Sequence, residues 1–224
     1  MNLYIIHGWT YTIEPWTKAV EALRQDGVKV KQLKVPGLAE PSRKIFTIND
    51  YVKWADQNIP DGSIVLGHSN GGRILLNMLA DNPSKLKGLI LLNSAGIYTP
   101  SRKTSALRRL SKLASPLRRI KPLRKIYHKL IGASDYSAAP ENMKKTLANM
   151  LESDKTLNLT GIETPTRIIW GENDTSTPLA QGVELHKRIA NSTLTSFPDW
   201  NHVPYINHPT EVAAAIESAL KELV

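Results

Sequence analysis

The chain has 224 residues, with 29 Lys or Arg against 20 Asp or Glu and no cysteine. That length buries a sizeable core in one domain without staples, and the lack of cysteine excludes disulfides, thiolate metal sites and a cysteine nucleophile. The formal net charge of +9 comes from one stretch: residues 101–134 hold eleven Lys or Arg and no acidic residue, while the remaining residues carry 18 basic and 20 acidic ones.

The opening "MNLYIIHGW" lacks the charged n-region and longer apolar run of a secretory leader. No stretch approaches the ~18 apolar residues of a membrane span, so the expectation is a soluble cytoplasmic protein. Residues 3–6 form a short apolar run that meets His7-Gly8 at once. Residues 15–26 read as a helix with Trp16, Val20 and Leu23 on one side, and residues 28–35 alternate as a strand does, with Val28, Val30 and Gln32 on one face. A short helix is expected over 50–58, starting near Asn49 or Asp50. Residues 63–67 are the next apolar strand, 71–81 have helical composition and stop at Asn82-Pro83, and 88–92 are another strand. The stretch 98–152 then breaks the alternation. Leu107, Leu110, Leu113 and Leu117, then Leu123, Ile126, Tyr127 and Leu130, then Met143, Leu147 and Met150 recur at helical intervals, punctuated by Pro116 and Pro122. It reads as a helical insertion between two strands. Residues 166–170 and 193–197 complete the strands, and 210–223 form an amphipathic helix with Thr210 as its N-cap after Pro209. Short continuous apolar strands alternating with helices give an α/β fold, a mostly parallel sheet of about six strands flanked by helices.

One junction carries chemistry. Gly67-His68-Ser69-Asn70-Gly71 fits G-x-S-x-G and falls where a strand ends and a helix begins. The bland alternative is a glycine-rich turn with a solvent-facing serine. A serine hydroxyl is a poor nucleophile until a base, itself oriented by a third group, takes its proton. Those partners follow such an elbow in the order Ser, Asp or Glu, His, on loops after later strands. "WGENDTSTP" at 170–178 puts Asp174 just past a strand end, on the ligand-facing edge of an α/β sheet. "PDWNHVPYINHP" at 198–209 puts His202 in the loop after the next strand. The rivals fit less well. His208 precedes Pro209 and a helix start, His68 is expected to point away from Ser69, and His186 reads as the polar face of a helix. Glu172 is expected to shape its loop, and Asp199 is too near His202 in sequence. An oxyanion needs two backbone N–H donors. Asn70 is expected to supply one, and the loop after the first strand the other from Trp9, with Thr10 as the alternative. His7 is expected to be a structural hydrogen-bonding residue. Trp9, Trp170 and Trp200 lie near the predicted site, which predicts an aromatic-walled pocket.

"HGW" at 7–9, "GHSNGG" at 67–72, "WGENDTSTP" and the "NH" at 201–202 together resemble the α/β-hydrolase superfamily, over residues 1–100 and 160–224. The resemblance implies a Ser69–Asp174–His202 triad and a sheet ordered as in that fold. The chain begins at what looks like the family's third strand, and Arg73 stands where a smaller residue often follows the elbow glycines; it is expected to reach a carboxylate in a structural role. Serine at the elbow argues against the dehalogenases and epoxide hydrolases of this scaffold, which use aspartate. The resemblance also implies a division into a core, 1–97 and 153–224, and a basic helical cap, 98–152, that roofs the site.

The charge of the cap has three readings: a solvated helical face, contact with an anionic membrane surface, or attraction of anionic substrates or of nucleic acid without sequence preference. No nucleic-acid motif supports a specific binder. The expected activity is cleavage of carboxylic esters by a serine hydrolase with no metal or organic cofactor. The alternatives are carbon–carbon bond cleavage of a diketone on the same triad, and a non-catalytic protein that binds membranes or polyanions through the cap.

Overall fold

The computed structural model describes residues 1–98 and 139–224. The basic stretch 101–134, with the expected helices around Leu107 and Ile126, lies outside the described residues.

Among the described residues the strands are β1 (Asn2–Ile6), β2 (Lys29–Leu33), β3 (Ser63–His68), β4 (Leu86–Leu92), β5 (Thr166–Gly171) and β6 (Ser192–Phe197). They form one sheet, parallel throughout, in the order β2-β1-β3-β4-β5-β6. The helices are α1 (Thr17–Gln25), entered through a 3-10 turn at Glu14–Trp16, then α2 (Ile48–Asn58), α3 (Asn70–Asp81), α4 (Glu141–Ser153), α5 (Leu179–Arg188), the short α6 (Pro204–Asn207) and α7 (Pro209–Leu223).

Each central strand buries both faces, which is why these segments read as apolar runs and not as alternating ones. Leu3 and Ile5 of β1, Ile64 and Leu66 of β3, and Ile90 and Leu92 of β4 pack with Val20 and Leu23 of α1 and Val212, Ile216 and Leu220 of α7. The intervening residues Ile6, Val65, Leu89 and Leu91 face the other way, onto Tyr51 and Ala55 of α2 and Ile74, Leu75 and Leu79 of α3. Each buried Leu or Ile contributes roughly 1.5–3 kcal/mol by leaving water.

Two helix starts differ from the sequence expectation. The second helix begins earlier, because Thr47 caps it. The Thr47 hydroxyl accepts the Asp50 N–H and the Asp50 carboxylate accepts the Thr47 N–H, a reciprocal capping box. The last helix begins at Pro209 with His208 at the cap position and no side-chain cap bond, so Thr210 lies inside the first turn and is not the N-cap. Proline at N1 presets φ and lacks the N–H that a cap would satisfy. Within the segment expected to be an insertion, α4 forms where Met143 and Met150 predicted a helix, and both methionines are buried. Thr146 accepts the Phe46 N–H, Asn149 donates to the Phe46 carbonyl, and Asn142 donates to the carbonyls of Ser42 and Lys44, so α4 is tied to the loop before α2.

The order of the strands places a functional edge. The chain runs outward from β1 to β2, then crosses back to β3 on the other side of β1. That reversal opens a crevice beyond the carboxyl ends of β1 and β3, where α/β sheets hold ligands. The loop at Gly8–Trp9 and the Ser69 turn both emerge there. Among the described residues no helix is long and apolar enough to cross a membrane.

Candidate active site

Ser69 joins β3 to α3 with φ 49° and ψ −116°, a conformation a non-glycine residue holds only when its surroundings enforce it. They do. The Ser69 N–H donates to the Leu92 carbonyl at 3.2 Å, and the Ser69 carbonyl accepts from Gly72 at 3.0 Å and Ala95 at 2.9 Å. The flanking glycines are steric requirements. A Cβ on Gly67 would lie 2.6 Å from the Gly72 backbone, and one on Gly71 would run into the Ile6 carbonyl oxygen. Without them α3 could not pack against β1 and β3 while starting one residue after the serine.

The three residues predicted from separate loops meet. His202 Nε2 lies 3.0 Å from Ser69 Oγ, and His202 Nδ1 lies 2.8 Å from Asp174 Oδ2. A carboxylate only accepts, so Nδ1 carries the proton and Nε2 presents a lone pair to the serine hydroxyl. Asp174 is 3% exposed. Burial alone would push its carboxyl up. The hydrogen bonds from His202 and from the Thr177 hydroxyl and N–H outweigh that and hold it below the usual carboxylate range. Its Oδ1 accepts the N–H groups of Ser176 at 2.7 Å and Thr177 at 2.9 Å, and its Oδ2 accepts the Thr177 hydroxyl at 2.7 Å. The Thr177 oxygen is also 3.2 Å from His202 Nδ1. Sequence reading missed Thr177; a carboxylate followed three residues later by a hydroxyl was the available signal.

The loop after β1 is held by His7. Its Nε2 accepts the Val35 N–H at 3.2 Å, so its Nδ1 carries the proton and donates to the Gly8 carbonyl at 2.8 Å. Burial lowers its pKa and keeps it neutral. This is the structural role expected of it. The Thr10 N–H also donates to the Gly8 carbonyl, at 2.9 Å, which removes Thr10 as an oxyanion donor. No acceptor among the described residues takes the backbone N–H of Trp9 or of Asn70.

His68 makes no hydrogen bond to Ser69, in keeping with its expectation, yet it belongs to the site. Its ring lies 5.1 Å from that of His202, and its Nε2 donates to the His202 carbonyl at 2.8 Å. Burial, reinforced by the neighbouring His202, pushes its pKa down to about 3, so it is a neutral donor at physiological pH. The other rivals sit as expected. His208 pairs with Glu211 at the start of α7, His186 is exposed on α5, Glu172 accepts from Ser196 at the strand edge, and Asp199 is exposed.

A cavity of about 650 Å³ opens over Ser69. Trp9, Leu147, Ala148, Leu151, Val203 and Ile206 give it apolar walls. The expected aromatic wall is corrected: of the three tryptophans only Trp9 lines it. Trp170 and Trp200 are fully buried beneath, where Trp170 donates to the Thr177 carbonyl and Trp200 stacks on Phe197. Arg73 does find a carboxylate. It binds Asp154 through Nε at 2.7 Å and Nη2 at 2.9 Å, and its Nη1 donates to Asn70 Oδ1 at 2.7 Å. Among the described residues no group of three or more His, Asp or Glu could hold a metal ion.

Comparison with known proteins bears on the fold. A family model described as the alpha/beta hydrolase fold matches residues 2–113. A pimeloyl-(acyl-carrier protein) methyl ester esterase of Aromatoleum aromaticum is 23% identical, over 98% of this chain and 98% of its own. The protein of the same name from Chromobacterium violaceum is 22% identical, over 98% of this chain and 94% of its own. Among solved structures, a thermophilic esterase from Thermogutta terrifontis superposes with a TM-score of 0.66 at 19% identity, covering 100% of this chain and 90% of that one. A bromoperoxidase from Bacillus anthracis does so with a TM-score of 0.68 at 19% identity, covering 98% and 91%.

Proposed function

Since the chain belongs to the alpha/beta hydrolase fold family, we propose that it is a carboxylesterase working through Ser69, His202 and Asp174 and an acyl-enzyme intermediate. The observation that carries the reading is the unbroken chain of contacts from Ser69 Oγ through His202 to the buried Asp174. Ser69 Oγ attacks the acyl carbon of the ester while His202 Nε2 takes its proton. Asp174 stabilises the imidazolium so formed. The oxyanion settles between the free N–H groups of Trp9 and Asn70, each worth roughly 2.7–4 kcal/mol in such a site. Collapse expels the alcohol, which receives the proton from His202. Water then attacks the acyl carbon while His202 Nε2 takes its proton; the bond from that carbon to Ser69 Oγ breaks, His202 returns the proton to Ser69 Oγ, and the acyl group leaves as a carboxylic acid.

The substrate class this reading favours is the methyl ester of an acyl chain held on a carrier protein. Curated relatives of that activity align over nearly the whole chain, and the apolar walls beside Ser69 suit an acyl chain. The eleven Lys and Arg of residues 101–134 suit the same reading, since positive charge favours encounter with an anionic carrier.

The test is hydrolysis of monomethyl dicarboxylates and of p-nitrophenyl esters from acetate to palmitate, by the wild type and Ser69→Ala. The wild type should turn over and the variant should lose about 10⁴-fold or more. Equal activity in both, or a folded wild type inert toward every ester, overturns the reading.

A further inference from the structure

We infer that Asn93 is the residue that positions His202 against Ser69 and Asp174, an inference that rests on the catalytic reading of those three.

Asn93 follows β4 directly, is fully buried, and holds φ +45°. Asparagine is among the few residues that adopt that conformation readily. Its amide is used at both ends. The Oδ1 accepts the Gly171 N–H at 2.9 Å, at the start of the loop that carries Asp174. The Nδ2 donates to the Asn201 carbonyl at 2.7 Å, the peptide that precedes His202. Its own carbonyl lies 3.1 Å from the Thr177 hydroxyl, which also bonds the Asp174 carboxylate. Its neighbours hold the nucleophile: Leu92 accepts the Ser69 N–H and Ala95 donates to the Ser69 carbonyl. Leu92, Asn93 and Ala95 thus touch the backbone or supports of all three predicted catalytic residues.

The histidine loop shows what this achieves. Three successive carbonyls in it are each taken by a donor from a different element. The Asn173 N–H of the acid loop donates to Trp200, Asn93 donates to Asn201, and His68 of β3 donates to His202. Only a side chain with one donor and one acceptor fits between Gly171 and Asn201. Aspartate lacks the donor, and an aliphatic residue lacks both. A shift of about 1 Å in such a constellation costs on the order of 10²-fold in rate.

The test uses Asn93→Gly, since glycine adopts φ +45° without strain and the whole amide-bearing side chain is removed, with the near-isosteric Asn93→Asp, which keeps the shape and loses the donor, beside it. Two quantities are read in the full-length protein: kcat and KM on a p-nitrophenyl ester, and the downfield proton resonance of His202 Nδ1–H, assigned by its loss in His202→Gln. The expected result is a kcat lower by about 10²-fold with KM within about twofold, together with loss or broadening of the resonance, in both variants. Wild-type kcat and an unchanged resonance in a folded Asn93→Gly would overturn the role. Should Asn93→Gly not fold, Asn93→Asp decides by the same readouts. An inert wild type would defeat the esterase reading alone, because the resonance needs no substrate and still decides whether Asn93 sets the His202–Asp174 contact.

Discussion

Arg73 and Asp154 form a buried, bidentate ion pair, with side chains 6% and 8% exposed. It joins the first turn of α3, directly after Ser69, to the end of α4, directly behind the cavity wall. Replacing Arg73 with Met removes both charge-assisted bonds and strands the Asp154 carboxylate away from water. Breaking a buried pair from one side costs roughly 3–5 kcal/mol. For a domain of this size each kcal/mol lowers Tm by about 2–4 °C, so Arg73→Met should lose about 6–20 °C. Adding Asp154→Leu removes the stranded charge, and apolar replacement of a whole buried pair is neutral or better by about 1–4 kcal/mol, so the double variant should regain most of the loss. Activity should not follow stability. Both variants leave Asn70 Oδ1 without its Arg73 partner, and Asn70 supplies a proposed oxyanion donor, so kcat should stay low in the double variant. The assay is urea denaturation beside ester turnover. A single variant that loses under about 1 kcal/mol, or a double variant no more stable than the single, refutes the reasoning.

Asp174 is held below its ordinary value of 3.8 in the folded protein. Its ionisation therefore adds stability that is full above that value and is lost as pH falls through the lower folded one. Denaturation between about pH 2 and 6 should show wild-type stability falling toward that of Asp174→Asn as the solution becomes more acid; a gap that widens instead contradicts the assignment. Gly71→Ala forces a methyl into the Ile6 carbonyl, and the strained packing should cost more than about 4 kcal/mol. A Gly71→Ala protein with wild-type Tm would contradict that. Leu147→Trp fills part of the cavity wall and should move the preferred p-nitrophenyl ester to a shorter acyl chain, whereas an unchanged optimum would place the acyl group elsewhere.

The sheet was legible because burial on both faces writes itself as an apolar run, and β1, β3, β4 and β5 appear near their predicted positions. Ser69, Asp174 and His202 were legible for a different reason. Each sits just past a strand end, and a parallel sheet brings those ends to one edge. What sequence could not show is what those residues lean on. Asp154 is 81 positions from Arg73, and no local pattern ties Asn93 to Gly171 and Asn201. The first is set by how α4 packs, and the second by the sheet, which puts β4 beside β5. Trp170 and Trp200 were misplaced because nearness in sequence does not say which side of a strand or loop a ring takes. Thr210 was misread because Pro209 starts the helix without a capping side chain.

The most direct measurement is the mass of the intact protein after treatment with a fluorophosphonate, followed by peptide mapping. The account predicts one adduct per chain, on Ser69, formed quickly in the wild type and far more slowly in His202→Gln. No adduct on a folded protein, or an adduct on another residue, would contradict the claim that Ser69 is an activated nucleophile.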